Sequence, residues 1–333
     1  MHLSPGHYPT MRLDGRLVPL TDQPILDRQL TENLIFSILS EERKAIFLAQ
    51  KELDFAYELS DDVRCRTNAY QTRGNFAAAF RFIPKEVRTV EELNLPQEIK
   101  IFSRLSQGFL LVVGPNGHGK STTLAALIDL INHERAEKII TIEDPVEYIF
   151  SPDRSIIDQR ELYQDTLSFG KALRSTFREN VNVIMVGEMR DYETISAAVT
   201  ATETGHLVFA SLHTNNAAQT VQRIIDSFPS EQQRQIISQL ADTISGVISQ
   251  RLIPRMKGGL VPAVEVMIAN TAVRTLIRDG RIQQLNLAID TGADVGMISL
   301  NRSLADLVRR KEISMEQAEF YSLNPSELKM LLR

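Results

Sequence analysis

The chain has 333 residues, 43% of them hydrophobic and 24% charged, a balance typical of a globular protein with room for two domains. Its 37 basic and 42 acidic residues give a net charge of −5, which argues against a nucleic-acid-binding surface. One cysteine, Cys65, excludes an internal disulfide and any zinc site built from several cysteines. No stretch reaches the apolar length of a membrane span, so we expect membrane association only through partner proteins.

The first part of the chain predicts a small α+β domain over residues 1–88. Asp14-Gly15 lies between two short apolar runs and is typical of a hairpin turn. Residues 31–50 carry apolar side chains at helical spacing, and later segments alternate as half-buried strands do. The predicted strands are 54–59, 63–70 and 77–82.

Strands and helices alternate in the rest of the chain, which predicts an α/β domain with a parallel sheet over residues 101–333. We expect residues 89–100 to be the linker into this domain. The predicted strands are 109–113, 138–143, 181–187 and 206–212, with helices at 121–133, 167–178 and 191–204. Residues 151–165 are polar and predict irregular structure. Beyond residue 215 the pattern is mostly helical, around one apolar segment at 260–267.

Residues 114–121, Gly-Pro-Asn-Gly-His-Gly-Lys-Ser, match the spacing of a phosphate-binding P-loop. Glycines let backbone N–H groups approach phosphate oxygens, Lys120 supplies a cation, and the Ser121 hydroxyl can bind Mg²⁺. An apolar strand precedes the loop and a helix follows it, so a chance match to a glycine-rich turn is the weaker interpretation. The expected nucleotide-binding residues are Gly114, Pro115, Asn116, Gly117, His118, Gly119, Lys120, Ser121 and Thr122.

Acidic residues follow two further predicted strands, where side chains face the ligand in an α/β sheet. Glu143 would polarise a water that attacks the γ-phosphate, and Asp144 would hold Mg²⁺ or orient its neighbours. Glu188 would contact Mg²⁺ through water or act as the catalytic base; a capping role at the next helix is the structural alternative. Lys120, Glu143 and Glu188 are thus the catalytic candidates, and the sequence leaves open which glutamate takes the proton.

His206 and His213 lie at opposite ends of one predicted strand. A histidine at a strand end near nucleotide can sense the γ-phosphate by hydrogen bonding, although most isolated histidines are structural. Metal binding by this pair is disfavoured because no supporting cluster of Cys or His accompanies it.

Four segments in chain order resemble the secretion ATPases of type IV pili and type II secretion. They are the P-loop (Walker A), TIEDPVE (Asp box), VGEMRD (Walker B) and TGHLVFASLHT (His box). Residues 272–278 resemble a motif that the retraction ATPases of this family need for retraction; on its own the segment predicts an ordinary amphipathic helix. The chain departs from the family at His118, where a small residue is usual, and a ring there would alter nucleotide affinity or its pH dependence.

The resemblance implies a RecA-like P-loop ATPase domain preceded by a smaller PAS-like N-terminal domain, assembled as a homohexamer. ATP would lie at subunit interfaces, where arginines of a neighbouring subunit reach the phosphates. Arg66 and Arg81 best match those arginines, with Arg73 as a further candidate. The residues that would couple the ring to the pilus base are Arg274, Leu276, Ile277 and Arg278.

The resemblance further implies a cytoplasmic, Mg²⁺-dependent ATPase, peripheral to the inner membrane at the pilus base. It would power pilus retraction through an inner-membrane pilus platform protein, with no nucleic-acid partner. An assembly or secretion ATPase of the same superfamily is the nearest alternative; those proteins usually carry an extra N-terminal domain and a four-cysteine zinc insertion, which this sequence does not show. A RecA-like nucleic-acid motor is less favoured, because no basic, aromatic-rich stretch is present.

Overall fold

The structure is a computed structural model that describes residues 1–13, 16–60, 63–83 and 86–333. The chain divides into two compact units, Met1–Glu86 with Pro145–Ile149, and Val87–Asp144 with Phe150–Arg333. The predicted hairpin turn at Asp14-Gly15 lies outside the described residues. Across the ranges that are described, no helix combines the length and the apolarity that crossing a bilayer requires.

The first unit is α+β, as predicted, with an antiparallel sheet. Its strands are β1 (His2–Leu3), β2 (Thr10–Leu13), β3 (Arg16–Pro19), β4 (Glu52–Ser60), β5 (Val63–Thr72) and β6 (Asn75–Ile83), and its helices are α1 (Arg28–Ser37) and α2 (Glu41–Gln50). The strand order is β3-β2-β1-β6-β5-β4. The single helix predicted over 31–50 is two helices, because the Ser40 hydroxyl accepts a hydrogen bond from the Arg43 N–H at 3.2 Å and starts α2.

The second unit is α/β, which confirms the predicted fold class. Its strands are β7 (Gly108–Val113), β8 (Lys138–Glu143), β9 (Ile156–Glu161), β10 (Val183–Val186), β11 (Leu207–Leu212), β12 (Ile244–Pro254) and β13 (Leu260–Ile268). Its helices are α3 (Lys120–Glu134), α4 (Phe169–Thr176), α5 (Tyr192–Glu203), α6 (Ala217–Asp226), α7 (Gln233–Thr243), α8 (Thr271–Arg278), α9 (Leu285–Thr291), α10 (Leu300–Arg309), α11 (Met315–Tyr321) and α12 (Pro325–Leu331). Short 3-10 helices occur at Gln97–Arg104, Ile282–Gln284 and Ala293–Val295.

The seven strands of this unit form one sheet in the order β13-β12-β7-β11-β10-β8-β9. All neighbours are parallel except β12 and β13, which pair antiparallel. Every residue of β7, β10 and β11 is buried, as expected for central parallel strands covered on both faces. The loops that follow β7, β8, β10 and β11 therefore meet at the carboxyl edge of the sheet.

Three parts of the second unit differ from the sequence prediction. The region beyond residue 215 is mostly helical, as predicted, but β12 is an additional strand there and forms a long pair with β13, the apolar segment. Residues 151–165, predicted as irregular, contain β9, which pairs with β8 along its whole length. The segment 89–100, expected as a linker, lies within the second unit, where Val90 and Ile99 are 2% and 0% exposed.

Candidate active site

The predicted P-loop connects β7 to α3, in the strand–loop–helix order that phosphate binding requires. Of the predicted nucleotide-binding residues, Gly114, Pro115, Asn116, Gly117, His118 and Gly119 form the loop, and Lys120, Ser121 and Thr122 begin the helix. Lys120 is only 7% exposed, and its Nζ atom donates to the carbonyl oxygens of Gly114 at 2.9 Å and Pro115 at 3.0 Å. The ammonium group is thus held against the first two residues of the loop.

His213, which follows β11, links this lysine to the carboxylate that follows β10. Its Nδ1 atom lies 3.2 Å from Lys120 Nζ, and its Nε2 atom lies 3.2 Å from Glu188 Oε2. An ammonium group can only donate, so Nδ1 accepts, and the ring's proton lies on Nε2 and is donated to the carboxylate. Three residues that are far apart in the sequence thus form one hydrogen-bonded chain, Lys120–His213–Glu188.

Glu188 is held from both sides, because its other carboxylate oxygen forms an ion pair with Arg190. Burial raises the pKa of Glu188, but hydrogen bonds from Arg190 and His213 outweigh burial and leave that pKa below its ordinary value. The helix-capping alternative for Glu188 is wrong, since Asp191 caps α5 by accepting the Thr194 N–H at 2.8 Å. Glu188 is therefore an ionised group at the carboxyl edge of the sheet.

Glu143 ends β8 at the same edge, in a more enclosed position. It is 6% exposed, and its Oε1 atom accepts hydrogen bonds from Thr141 Oγ1 at 2.6 Å and Gln159 Nε2 at 3.3 Å. The next residue, Asp144, acts electrostatically on Arg190 and helps to raise the pKa of that guanidinium, after the larger effect of the hydrogen bond to Glu188. Both acidic residues are thus brought to the edge where Glu188 lies.

His118, the unusual residue of the P-loop, is bound to β12. Its Nδ1 atom accepts a hydrogen bond from the Leu252 N–H at 2.9 Å, and its carbonyl oxygen accepts one from Gln250 Nε2 at 2.8 Å. Burial lowers the pKa of His118, and Arg251 and Lys120 lower it further. The ring is therefore a neutral acceptor near pH 7.

Sequence reasoning missed several residues that support the site. They are Thr141, Gln159, Ser211 and Gln250. Ser211 donates to the Gly187 carbonyl at 2.5 Å and so ties β11 to the residue before Glu188. A P-loop motif gives no signal for such partners, because they lie on other strands and become neighbours only through the strand order of the sheet.

Comparisons with known proteins bear on the same segments. Residues 88–259 match the family model described as type II/IV secretion system protein. The chain is similar to the type IV pilus retractation ATPase PilT of Pseudomonas aeruginosa, at 43% identity over 96% of this chain and 92% of that protein. It is similar to a twitching motility protein of Neisseria gonorrhoeae, at 43% identity over 96% of this chain and 86% of that protein.

The chain belongs to the type II/IV secretion system protein family. A solved structure of this family, that of the pilus retraction motor PilT with bound ADP, matches 99% of this chain and 94% of its own chain. That match has a TM-score of 0.91 at 42% identity, so the likeness extends over both units of the secretion-family fold. The resemblance drawn from the four sequence boxes is thereby confirmed.

The first histidine of the family's His box, His206, is not brought to the P-loop. It precedes β11, so the strand's six residues separate it from His213 by about 20 Å. Its Nδ1 atom donates to the Ala201 carbonyl at 2.9 Å, and its ring packs against Phe177 with centroids 5.8 Å apart. The structure gives His206 a structural environment, which argues against its predicted role as a phosphate sensor in this chain.

The arginines that the secretion family would supply to a neighbouring subunit lie in the first unit. Arg66 and Arg81 are directly paired across β5 and β6, and Arg66 Nη1 lies 3.5 Å from Glu147 Oε1. Arg73 lies in the exposed turn between these strands, with φ at 50° followed by Gly74 at 74°. Such a two-residue turn needs positive φ at both positions, so a turn role accounts for the backbone of Arg73.

The family's predicted coupling segment is helix α8, capped by Asn270, whose side chain accepts the Val273 N–H at 3.0 Å. Ile277 is buried and Leu276 packs on the same core. Arg274 donates to the carbonyl oxygens of Ala241 at 2.8 Å and Asp242 at 2.6 Å, and so caps the end of α7. Arg278 forms an exposed ion pair with the Asp242 side chain at 2.6 Å. The two arginines of the motif therefore have different surroundings.

Proposed function

We propose that this protein is an ATPase motor that hydrolyses ATP to ADP and phosphate to power retraction of a type IV pilus. The observation that carries the proposal is the Lys120–His213–Glu188 chain, which joins a P-loop lysine to an ionised carboxylate at the carboxyl edge of the sheet. The similarity to the retractation ATPase and to the twitching motility protein supports the cellular role.

The loop and its helix would bind the triphosphate. Backbone N–H groups of the loop and the start of α3 present positive partial charge to the phosphates, and Lys120 adds a full charge. In this arrangement the lysine exchanges its loop carbonyl partners for phosphate oxygens. His213 would then sense the γ-phosphate through the same lysine.

The residues present fit Mg²⁺. Ser121 offers an exposed hydroxyl in the first turn of α3, and Asp144 and Glu188 offer carboxylate oxygens at the same edge of the sheet. Within the described ranges no cluster of three or more His, Cys, Asp or Glu side chains could hold a metal, which suits an ion that prefers phosphate and water oxygens to an all-protein cage. When bound, Mg²⁺ would neutralise charge that develops on the transferred phosphoryl group.

We assign the water-organising role to Glu188 rather than Glu143. Burial raises the pKa of Glu188, but Arg190 and His213 lower it by more. The side chain is therefore an ionised carboxylate, which can accept a hydrogen bond from water. Glu143 is more buried, with 6% of the residue exposed, so water reaches it less readily than Glu188. Glu143 would then have a supporting role, in which its hydrogen bonds with Thr141 and Gln159 fix the end of β8 beside the site.

The motor would assemble into a homohexamer with ATP between subunits. Arg66 and Arg81 are adjacent on one sheet, so the pair could present two guanidinium groups to a neighbouring subunit's phosphates. That arrangement would make hydrolysis depend on how two subunits are placed. The motor would lie in the cytoplasm against the inner membrane at the pilus base and act on a pilus platform protein through the α8 motif, without nucleic acid.

Deletion of the gene, followed by complementation, tests the cellular role. Loss of twitching together with an excess of surface pili, restored by the wild-type gene and not by Lys120→Ala, is the expected result. Loss of surface pili on deletion would instead indicate the assembly ATPase of the same superfamily. ATP hydrolysis that rises on addition of DNA would favour the nucleic-acid motor.

A further inference from the structure

Gln250 lies beside the P-loop because of the register of two parallel strands. Ser249 of β12 is paired with Val113 of β7, so the next residue of β12 stands next to Gly114, where the loop begins. Gln250 is 3% exposed, although it is polar and lies 129 residues or more after the loop in the sequence. A buried amide needs hydrogen-bond partners, and those of Gln250 belong to the loop and its helix.

The two ends of the Gln250 amide bind two different parts of this structure. Its Nε2 atom donates to the His118 carbonyl oxygen at 2.8 Å, and its Oε1 atom accepts from Thr123 Oγ1 at 2.7 Å. Among uncharged side chains, an amide can donate and accept at separate atoms in this way. The group therefore bridges the loop to the first turn of α3.

The backbone of the loop also lies directly against this residue. A Cβ atom at Gly114 would collide with the carbonyl oxygen of Gln250, and one at Gly119 would lie 2.8 Å from Gln250 Nε2. Both glycines have positive φ, at 146° and 82°. Both the positive φ and the short distance to Gln250 thus require glycine at these positions.

We propose that Gln250 is a positioning residue for nucleotide binding, which holds the P-loop in the conformation that presents its N–H groups to phosphate. The inference rests on the proposed nucleotide-binding function and goes beyond it by naming the group that orders the loop. Gln250 acts through His118 and Thr123, and its amide is already used by these two partners. Removing it leaves the phosphate-binding atoms in place and releases the loop that carries them.

The test compares wild type with Gln250→Met, Thr123→Val and the double variant. Methionine keeps the length of the side chain and removes both hydrogen bonds, so the Kd of a fluorescent ADP analogue and the KM for ATP should rise about tenfold, the cost of a lost buried hydrogen bond. The kcat should change much less, because the interaction is lost equally from ground state and transition state. Thr123→Val should raise Kd and KM by less than Gln250→Met does. In the double variant Kd and KM should be close to those of Gln250→Met alone, since the two side chains share one hydrogen bond.

Gln222→Met is the matched control, since Gln222 bonds Asp226 within α6 and should leave Kd and KM unchanged. A folded Gln250→Met protein with wild-type Kd and KM would overturn the inference. A variant in which only kcat and the melting temperature fall, while Kd and KM stay at wild-type values, would also overturn it, because that result indicates a structural role alone. If Gln250→Met does not fold, an unchanged Kd in Thr123→Val would overturn it. Wild-type protein that does not bind the ADP analogue would overturn the proposed function and this inference with it.

Discussion

The Nε2 atom of His213 lies 3.2 Å from the Oε2 atom of Glu188. Because the other nitrogen of the same ring contacts Lys120, a change at the lysine is transmitted to the carboxylate through one imidazole. In the proposed mechanism, a γ-phosphate that binds Lys120 would therefore alter the hydrogen bonding of Glu188 without any movement of the sheet.

The first prediction concerns the two histidines of the His box. His213→Ala should lower the kcat of ATP hydrolysis by about 100-fold, because Glu188 loses the donor that orients it. His206→Ala should leave kcat near that of wild type, since His206 bonds Ala201 at the other end of β11. Steady-state phosphate release measures both variants. Equal losses in the two would contradict the assignment of the site to the carboxyl edge of the sheet.

The second prediction concerns the pH profile of hydrolysis. Burial raises the pKa of Glu188, and Arg190 and His213 together lower it by more. Arg190→Ala removes one of these opposing interactions and keeps the burial, so the pKa should move upward. The acidic limb of kcat/KM against pH should then shift to higher pH. Arg174→Ala removes an exposed ion pair with Glu193 and should leave that limb in place; an unshifted limb in Arg190→Ala would argue against Glu188 as the ionised group.

The third prediction concerns Glu265, a buried carboxylate on β13 whose Oε1 atom accepts the Ala217 N–H at 2.7 Å. Burial raises its pKa from 4.5 to about 7, Asp290 also raises it, and Ala217 and Arg251 act in the opposite direction. A raised carboxyl pKa means that the folded chain holds the proton more tightly than the unfolded chain. The contribution of Glu265 to stability is therefore fully present below pH 4.5 and is lost as the pH rises through about 7, by up to about 3 kcal/mol.

Glu265→Gln keeps the acceptor for Ala217 and removes the titration. The melting temperature of the variant, relative to wild type, should therefore be higher at pH 8 than at pH 5. Thermal unfolding followed by circular dichroism at the two pH values measures this difference. A difference that is the same at both pH values would show that Glu265 does not titrate in this range.

The fourth prediction separates the two arginines of helix α8. Arg274→Ala leaves the carbonyl groups at the end of α7 without their donor and should destabilise the protein by about 2 kcal/mol. Arg278→Ala breaks an exposed ion pair and should cost less than about 1 kcal/mol. Urea denaturation compares the variants. If Arg278→Ala unfolds at the same urea concentration as wild type and still abolishes twitching, the defect lies in coupling. Equal destabilisation by the two variants would contradict the different roles predicted for Arg274 and Arg278.

Much of the site could be predicted because its parts are contiguous in sequence. The P-loop, the strand before it and the helix after it are one segment, and the apolar strands β10 and β11 deliver Glu188 and His213 as expected. Strand β9 could not be predicted, since its Ile-Ile-Asp-Gln-Arg-Glu sequence lacks a strand pattern and only pairing with β8 makes it a strand.

The contribution of β12 was also beyond sequence reasoning. The strand follows α7 without a loop and contains Gly246 and several polar residues, so its periodicity does not distinguish a strand from a helix. The position of Gln250 beside Gly114 depends on the register between β12 and β7. Register between distant parallel strands is set by tertiary packing, and one sequence gives no direct signal for it.

Phosphate release from ATP by purified wild-type protein and by Lys120→Ala shows whether the P-loop site hydrolyses ATP. Lysine 120 is the charged group of the P-loop and the first member of the hydrogen-bonded chain to Glu188, so the account predicts turnover by wild type and none above background by the variant. Lys171→Ala, on the exposed face of α4, should hydrolyse ATP at the wild-type rate. Undiminished turnover in folded Lys120→Ala protein would contradict the account.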